Sequence, residues 1–190
     1  MPKALADSGS GPWVRLALDA LQDCVPRVVV VGAARDEVLA LLPDAVLAVD
    51  NPDHDAGMGS SLRVGLRALL DPETAHPPPD AVLVMLVDLP GVGLEVVRRV
   101  CAAVGDRSPA DVLARAAFDG VPGHPVLLGR RHWPGVIDSA SGDSGARLYL
   151  AEHRPILVEC GDIGSGIDVD TPRPAGTLSL PGDGMAAGDR

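Results

Sequence analysis

The sequence predicts an α/β fold, a three-layer α/β/α sandwich built around a mostly parallel sheet. Apolar runs of strand length alternate with segments that carry apolar residues at helical spacing. Ala81–Val87 is the clearest strand, an uncharged run typical of a buried parallel strand. Aromatic residues make up only 2% of the 190 residues, so Val, Leu and Ala must fill the core, as they do in such sheets.

The amino-terminal part of the sequence is predicted to form a helix followed by a strand, twice in succession. Trp13–Leu21 has apolar residues at helical spacing, and the apolar run Arg27–Val31 predicts the strand that follows it. Asp36–Leu42 predicts a helix that a proline ends, and Ala45–Val49 predicts a second strand. Two strands therefore precede Ala81–Val87 along the chain.

A long polar loop joins the second strand to the next helix. The loop spans Asp50–Gly59, and Ser60 or Ser61 is placed to cap the helix that follows. The proline-rich segment Asp71–Asp80 ends that helix and predicts a surface linker. Because loops of this length inside a compact domain are commonly functional, Asp50–Gly59 is a candidate binding loop.

The next segment shows a weaker alternation of helix and strand. Gly93–Val104 repeats the helical pattern, and Asp111–Ala117 predicts a strand. A Gly- and Pro-rich turn is predicted over Phe118–Pro125, followed by a short strand at Val126–Leu128.

Two further elements complete the predicted domain. Arg147–His153 predicts a short helix, and Ile156–Cys160 predicts the strand that closes the sheet. Beyond Pro172 the chain is polar and Gly-rich, which predicts a disordered tail over residues 173–190. Residues 1–172 are therefore expected to form one domain, in keeping with a length that supports one substantial core.

Charge and composition exclude several partners. The net charge is -10 at pH 7 and no Lys/Arg cluster exists, so a nucleic-acid partner is not expected. No apolar stretch reaches the length of a membrane helix and no signal-peptide pattern opens the chain, which predicts a cytoplasmic protein without a membrane partner. Cys24, Cys101 and Cys160 lie far apart in sequence, without metal-ligand spacing, and are interpreted as reduced packing residues.

Three aspartates suggest a metal site. Asp88 directly follows the strand Ala81–Val87, and ligands in such folds bind at the carboxyl ends of strands. Asp168 and Asp170 alternate along one segment, so an extended backbone points both to the same side. Carboxylates without His or Cys suit Mg²⁺ with a triphosphate as co-ligand. The alternatives are a turn formed by Asp88 with Pro90, and solvated aspartates near a flexible tail.

Two other features suggest phosphate binding. Lys3 is the only lysine in the sequence, and its compact ammonium is a natural partner for a phosphate. The loop from Asn51 to Ser61 offers Gly57, hydroxyl groups and backbone N–H groups at a helix amino terminus, which suits a nucleotide. Chance placement at a mobile terminus and an ordinary Gly/Ser loop are the alternatives.

Two Gly-containing segments in the second half carry polar residues. Gly120–Pro125 contains His124, and Gly142–Arg147 contains Asp143. Binding groups tend to lie at loop tips, although both segments also suit ordinary turns. His124 is assigned to binding instead of catalysis, because a lone His in a Pro-rich turn is often merely tolerated.

In their order and spacing, these segments resemble the MobA-like nucleotidyltransferase family, most closely its molybdenum cofactor cytidylyltransferase branch. The resemblance spans residues 1–172. Its matches are Pro2-Lys3-Ala4-Leu5 at the end of the family's Gly-rich segment, Asn51, Pro52, Gly57 and Ser61 in its N-P loop, and Val87-Asp88-Leu89-Pro90 in its G-D-x-P motif. Gly123–Pro125, Gly142–Arg147 and Asp168–Pro172 match motifs that favour the cytidylyltransferase branch.

The resemblance implies a Rossmann-like sandwich of the nucleotide-diphospho-sugar transferase type and a role for each matched residue. Lys3 and Asp88 would serve catalysis, and Asp88, Asp168 and Asp170 would hold Mg²⁺. The residues implied in substrate binding are Asn51, Gly57, Ser60, Ser61, Pro90, His124, Asp143 and Arg147.

The implied reaction transfers CMP from CTP to molybdopterin and releases pyrophosphate. A molybdoenzyme or its maturation chaperone would be the protein partner. Two alternatives are a nucleotidyltransferase acting on another phosphorylated metabolite and a non-catalytic nucleotide-binding descendant. An NAD-binding module is the least favoured class, because no G-x-G-x-x-G follows a predicted strand.

The sequence departs from the family pattern in two places. The first strand and the Gly-rich loop that precede the lysine in the family are missing, so these 190 residues are expected to bind CTP weakly. A parallel sheet tolerates the loss of a core strand poorly, which suggests that translation starts upstream. Leu89 stands where the branch often has Gln, which bears on the substrate and not on the metal.

Overall fold

The computed structural model of the protein describes residues 2–169, so Asp170 and the predicted tail at 173–190 lie outside the described residues. The helices are α1 (Trp13–Ala20), α2 (Arg35–Leu39), α3 (Met58–Leu70), α4 (Leu94–Ala102), α5 (Trp133–Ser139) and α6 (Arg147–His153). The strands are β1 (Arg27–Val31), β2 (Val46–Asp50), β3 (Ala81–Val84), β4 (Leu113–Phe118), β5 (Val121–Gly129) and β6 (Ile156–Glu159). No helix within residues 2–169 has the length and apolar character needed to cross a membrane.

Four strands form the main sheet, in the order β3, β5, β4, β6. β5 runs antiparallel to β3 and β4, and β4 runs parallel to β6. Leu113 and Leu128 pack on one face against helices α3, α5 and α6, with Trp133 buried among them. Ala114 and Leu127 pack on the other face against α4. Successive residues along a strand thus point to opposite faces of the sheet. Helices cover both faces, which confirms the predicted three-layer sandwich.

The strands β1 and β2 form a second, parallel sheet. Buried Val14 and Leu18 of α1 and Val38 of α2 cover this pair and pack with Val31 and Val46 of its strands. α2 is the crossover between the two strands, as parallel pairing requires.

A groove separates the two sheets. Val28 of β1, Val82 of β3 and Leu69 of α3 all line it. The larger part of the groove has a volume of about 390 Å³. Within residues 2–169, β1 pairs only with β2 and β3 only with β5, so each of these strands keeps one unpaired edge.

The clearest predicted strand is shorter than expected. β3 ends at Val84 instead of Val87, and it lies at the edge of its sheet, antiparallel to β5, instead of among parallel neighbours. Its pairing stops where Val84 meets Val126, because β5 leaves regular register just before that residue. The prediction of a central parallel strand is therefore wrong for the pairings within the described chain.

The predicted turn at Phe118–Pro125 is mostly strand. β4 and β5 form a hairpin that reverses at Asp119 and Gly120, with φ of 52° and 79°. Two successive residues with positive φ suffice for a tight hairpin turn, so β5 already begins at Val121. His124 therefore lies in the sheet and not at a loop tip.

The predicted capping of α3 by Ser60 or Ser61 is also wrong. α3 begins at Met58, and its N-cap residue is Gly57, which makes no side-chain capping bond. Gly57 has φ of 93°, a backbone conformation that favours glycine. The Ser60 hydroxyl instead donates to the Gly57 carbonyl, 2.8 Å away, from within the first turn.

Candidate active site

Lys3 and Asp88 form an ion pair at the carboxyl end of β3. Nζ of Lys3 lies 2.7 Å from Oδ2 of Asp88. Lys3 lies in a short 3-10 turn, in which Ala4 and Leu5 pack against the apolar cluster of β1 and β2, whereas Asp88 follows β3 of the main sheet. The pair thus joins the two sheets at one edge, and it unites the two residues that the resemblance implies for catalysis.

The Asp88 carboxylate lies in a mostly buried place. Its side chain is 13% exposed, against 45% for Lys3. The second oxygen, Oδ1, is buried and has no hydrogen-bond partner in the part of the chain that the structure describes. Such an oxygen is costly when it stays unsatisfied, and a carboxylate oxygen is the ligand that hard divalent cations prefer. The site therefore fits a cation bound at Oδ1 of Asp88.

The last described segment of the chain runs beside Asp88. The Val169 N–H donates to the Asp88 carbonyl at 3.1 Å, and the Ser165 N–H donates to the Gly91 carbonyl at 3.0 Å. Asp168 is exposed and next to Val169. Asp88 and this segment are thus neighbours, joined by a hydrogen bond between their backbones. Within residues 2–169, no three His, Cys, Asp or Glu side chains gather as a metal-ligand group.

His124 lies in a bulge of β5. Val126 pairs with Arg115 of β4, and Pro122 pairs with Ala117, so Gly123, His124 and Pro125 together face the single residue Ala116. The Arg115 guanidinium donates from Nε and Nη2 to the Gly123 carbonyl at 3.1 and 3.0 Å. Bulges commonly redirect side chains near active sites. This one is held in place by Arg115.

His124 is kept uncharged by its surroundings. The pKa of His124 is lowered to about 4, chiefly by burial and also by the Arg115 charge, while the Asp88 carboxylate acts in the opposite direction. His124 is therefore a neutral imidazole at pH 7, close enough to Asp88 to respond to its charge. Burial also lowers the pKa of the half-buried Arg115.

Arg115 is the site residue that the sequence analysis missed. The sequence does show that Arg115 is the one charged residue in the apolar strand Leu113–Phe118. Because buried charges are rare unless they are paired, such a residue is a candidate for a specific role.

The predicted nucleotide loop is organised by Asn51. Asn51 is 2% exposed, and its Nδ2 donates to Oγ of Ser60 at 2.8 Å and to Oγ of Ser61 at 3.0 Å. Its Oδ1 accepts the N–H of Asp53 at 3.1 Å. Ser60 is 3% exposed. Asn51 and Ser60 thus hold the loop in shape, and the half-buried Ser61 lies beside the groove between the sheets.

The same loop contacts a second predicted segment. A Cβ atom on Gly57 would lie 2.5 Å from the Gly142 carbonyl carbon and 2.7 Å from Oδ1 of Asp143. A Cβ atom on Gly59 would lie 2.7 Å from the Ser141 nitrogen. The two glycines therefore allow backbones to approach where a side chain would clash.

The predicted site residues thus fall into two groups. Lys3, Asp88, Pro90, His124 and Asp168 belong to the group around the ion pair. Asn51, Gly57, Ser60, Ser61 and Asp143 belong to the loop contact, and Arg147 is exposed at the start of α6.

The fold and the ion pair together are typical of a nucleotidyltransferase. An ammonium and a buried carboxylate lie at the carboxyl end of a strand in an α/β sandwich, where nucleotide phosphates and their metal ions bind in such folds. Comparison with known proteins agrees, because a match to the MobA-like NTP transferase domain covers residues 1–156. The chain belongs to that family.

The chain is also similar to individual relatives. It is 31% identical over 160 residues to the nicotine blue oxidoreductase of Paenarthrobacter nicotinovorans, covering 78% of this chain and 72% of the relative. The Rv0371c protein of Mycobacterium tuberculosis, solved in complex with manganese, has a TM-score of 0.62 at 24% identity, over 93% of this chain and 87% of that one.

A cytidylyltransferase shares the same fold. The 4-diphosphocytidyl-2C-methyl-D-erythritol synthase of Anaerococcus prevotii has a TM-score of 0.63 at 13% identity, over 87% of this chain and 83% of that one. At these identities the two solved structures establish the fold alone, which confirms the predicted nucleotide-diphospho-sugar transferase type.

Proposed function

We propose that this protein transfers CMP from CTP to the terminal phosphate of molybdopterin in the cytoplasm. A phosphate oxygen of the acceptor attacks the α-phosphorus of CTP, the bond to the β-phosphate breaks, and pyrophosphate leaves. The observation that carries the proposal is the Lys3–Asp88 pair, in which one carboxylate oxygen is buried and has no partner within the described residues. A molybdoenzyme or its maturation chaperone would receive the product.

The described residues suit this chemistry because it needs no protein nucleophile. Asp88, together with Asp168 or Asp170, would hold Mg²⁺, which neutralises phosphate charge when bound. Lys3 would offset the negative charge that develops on the phosphates, and the neutral His124 would line the site without proton transfer. Charge neutralisation and alignment supply most of the acceleration in such transfers.

Gly57, Ser61, Asp143 and Arg147 would bind substrate in this proposal. The loop that Asn51 and Ser60 hold in shape would present the Ser61 hydroxyl towards the groove. Asp143 and Arg147 are exposed on the neighbouring segment, and Pro90 shapes the turn after Asp88. These roles rest on the family pattern together with the position of each residue.

A second candidate function is oxidoreductase activity. The observation that favours it is the relative from Paenarthrobacter nicotinovorans, which is 31% identical and is named for such an activity. This candidate predicts oxidation of a reduced nicotinamide or flavin donor without pyrophosphate release. A transferase acting on another phosphorylated metabolite, and a non-catalytic nucleotide-binding protein, complete the alternatives.

Pyrophosphate release tests these functions directly. The 190-residue protein and a version extended by the upstream in-frame coding sequence are each assayed with CTP or GTP, Mg²⁺ or EDTA, and molybdopterin or other phosphorylated acceptors. We expect the extended protein to release pyrophosphate only with CTP, Mg²⁺ and molybdopterin together. Donor oxidation without pyrophosphate would support the oxidoreductase, and CTP binding without turnover by the extended protein would support the non-catalytic protein.

A further inference from the structure

Two cysteines that are far apart in sequence meet beside the groove. Cys24 ends the turn after α1, where its N–H donates to the Leu21 carbonyl at 2.9 Å, and Cys101 lies in the last turn of α4. Both are half-buried and line the groove between the sheets, whereas Cys160 is fully buried in the core. All three are free cysteines, as the interpretation of reduced residues requires, but only Cys160 is fully buried.

An ion pair next to the two cysteines holds their elements together. Oδ2 of Asp23 accepts a hydrogen bond from Nε of Arg98 at 2.8 Å. Asp23 directly precedes Cys24, and Arg98 lies three residues before Cys101 and hence on the same face of α4. The turn after α1 is thereby fixed against α4 at the level of the thiols.

The two thiols lie on the same stretch of the groove wall and influence each other's titration. The pKa of Cys24 is lowered to about 7, chiefly by a side-chain hydrogen bond with Cys101. Burial and the Asp23 charge act in the opposite direction, and the Arg27 charge assists the lowering. The same bond, together with burial, raises the pKa of Cys101. One thiol of the pair thus carries the thiolate near neutral pH while its partner keeps the proton.

We propose that Cys24 and Cys101 form a reversible disulfide across the mouth of the groove, with Cys24 as the attacking thiol and Cys101 as the resolving thiol. The shared position of both cysteines on the groove wall, their half-buried state and the Asp23–Arg98 ion pair carry this inference. A soft metal is a poorer occupant, because no three metal-binding side chains gather within residues 2–169. The inference is independent of the proposed function.

The oxidant would be a small-molecule disulfide, and the exchange balances. The Cys24 thiolate attacks one sulfur of the oxidant, whose S–S bond breaks and releases one thiolate. The Cys101 thiol then loses its proton to that thiolate and attacks Sγ of Cys24. The mixed disulfide breaks and releases the second half of the oxidant as a thiolate, which takes up from water the proton that Cys24 had given up. The protein loses two hydrogens, and the oxidant becomes two thiols.

The disulfide would change how the two sheets are connected. β1, β2 and β3 lie between Cys24 and Cys101 along the chain, so the bond would close one large loop that contains both walls of the groove. Closing a long loop restricts the unfolded chain. The oxidised protein should therefore melt several degrees higher than the reduced protein, and its groove should open less readily.

Oxidised glutathione is the probe that tests the pair. The reduced protein is treated at pH 7.5, remaining thiols are alkylated, and peptides are mapped by mass spectrometry. We expect an intact mass lower by two hydrogens and a linked Cys24–Cys101 peptide, with Cys160 unmodified. Dithiothreitol should reverse both changes.

Three variants sharpen the test. Cys101→Ser should stop at a stable glutathione adduct on Cys24, because the resolving thiol is missing. Cys24→Ser should react much more slowly than the wild type, and Cys160→Ala should behave as the wild type does. The proposal is overturned if the wild-type protein accumulates separate glutathione adducts on Cys24 or Cys101, or if Cys160 appears in the linked peptide. Wild-type peptide mapping decides the matter even where a variant fails to fold.

Discussion

Nζ of Lys3 lies 2.7 Å from Oδ2 of Asp88, and the other oxygen of that carboxylate is buried without a hydrogen-bond partner among residues 2–169. The ammonium therefore satisfies only half of the carboxylate. Metal ions and nucleotide phosphates bind at the carboxyl ends of strands in α/β sandwiches, and this carboxylate lies at such a strand end. The pair links the end of β3 to the turn that packs on β1 and β2.

Asp88→Asn should abolish metal-dependent turnover and leave the protein folded. The amide keeps the shape of the side chain but removes the negative charge that a divalent cation needs, and we expect a loss of at least about 100-fold. Pyrophosphate release against Mg²⁺ concentration, in the extended protein, measures the effect. Asp106→Asn is the matched control, because Asp106 is exposed and remote from the ion pair in sequence. Unchanged turnover of Asp88→Asn would remove Asp88 from the metal site.

The neutral His124 makes stability depend on pH. The pKa of His124 is lowered from 6.5 to about 4 in the folded protein, so between these values the unfolded chain binds a proton that the folded chain does not. The contribution of His124 to stability is therefore fully present above its unfolded pKa of 6.5 and is lost as the pH falls to about 4, by about 3 kcal/mol in total.

Urea unfolding at several pH values between 7 and 4 measures this effect. His124→Gln should lose about 3 kcal/mol of the pH dependence seen in the wild-type protein. His153→Gln, at an exposed histidine, is the control and should keep that dependence. Parallel curves for wild type and His124→Gln would show that His124 is accessible to protons in the folded state.

Much of this fold could be predicted from the sequence, because strand and helix periodicities reflect which side of each element is buried. α6 was predicted with both ends correct, and β1 and β2 within one residue. α5 was not predicted, because Trp133–Ser139 begins with a proline and glycine in its first turn and has few periodic apolar positions.

The β4–β5 hairpin shows why local signals can mislead. Pro122 and Pro125 indicated a turn, but the reversal needs only Asp119 and Gly120, and the bulge accommodates Pro125, which has no N–H to donate. Arg115 was missed for a related reason. The sequence shows that a charge interrupts the strand, but the carbonyl that this charge contacts is fixed only when the two strands pair.

The sequence predicts which residues belong to the candidate site, but not which of them contact one another. Lys3, Asp88 and the segment at Asp168 were chosen from motif order, and the structure brings them to one edge. The direct ion pair and the buried position of Asn51 depend on tertiary packing, which spacing along the chain does not encode. The proximity of Cys24 and Cys101 could not be predicted from the sequence for the same reason.

Arg115→Met should raise the pKa of His124. The Arg115 charge is one of the causes that lower this pKa, and its loss leaves burial opposed by the Asp88 carboxylate. The variant also loses both hydrogen bonds to the Gly123 carbonyl, so the bulge should become more mobile. NMR titration of the His124 imidazole measures the change. Arg115→Lys, which keeps the charge, should leave the pKa closer to the wild-type value, and equal values in all three proteins would contradict the arrangement.

Gly57→Ala should destabilise the protein by more than backbone strain alone. Gly57 has φ of 93° and ψ of 177°, a region used almost only by glycine, and a Cβ atom there would meet the Gly142 backbone at 2.5 Å. Strain and clash together should cost about 2–5 kcal/mol, measured as a shift of the urea midpoint. Gly9→Ala is the matched control, because Gly9 has φ of 99° with no atom within 4 Å of its added Cβ, and it should show the strain alone. Equal shifts in the two variants would mean that the segment at Gly142 yields to the added methyl group. A larger shift in Gly57→Ala, together with weaker CTP binding by the extended protein, would tie the contact between the two loops to the nucleotide site.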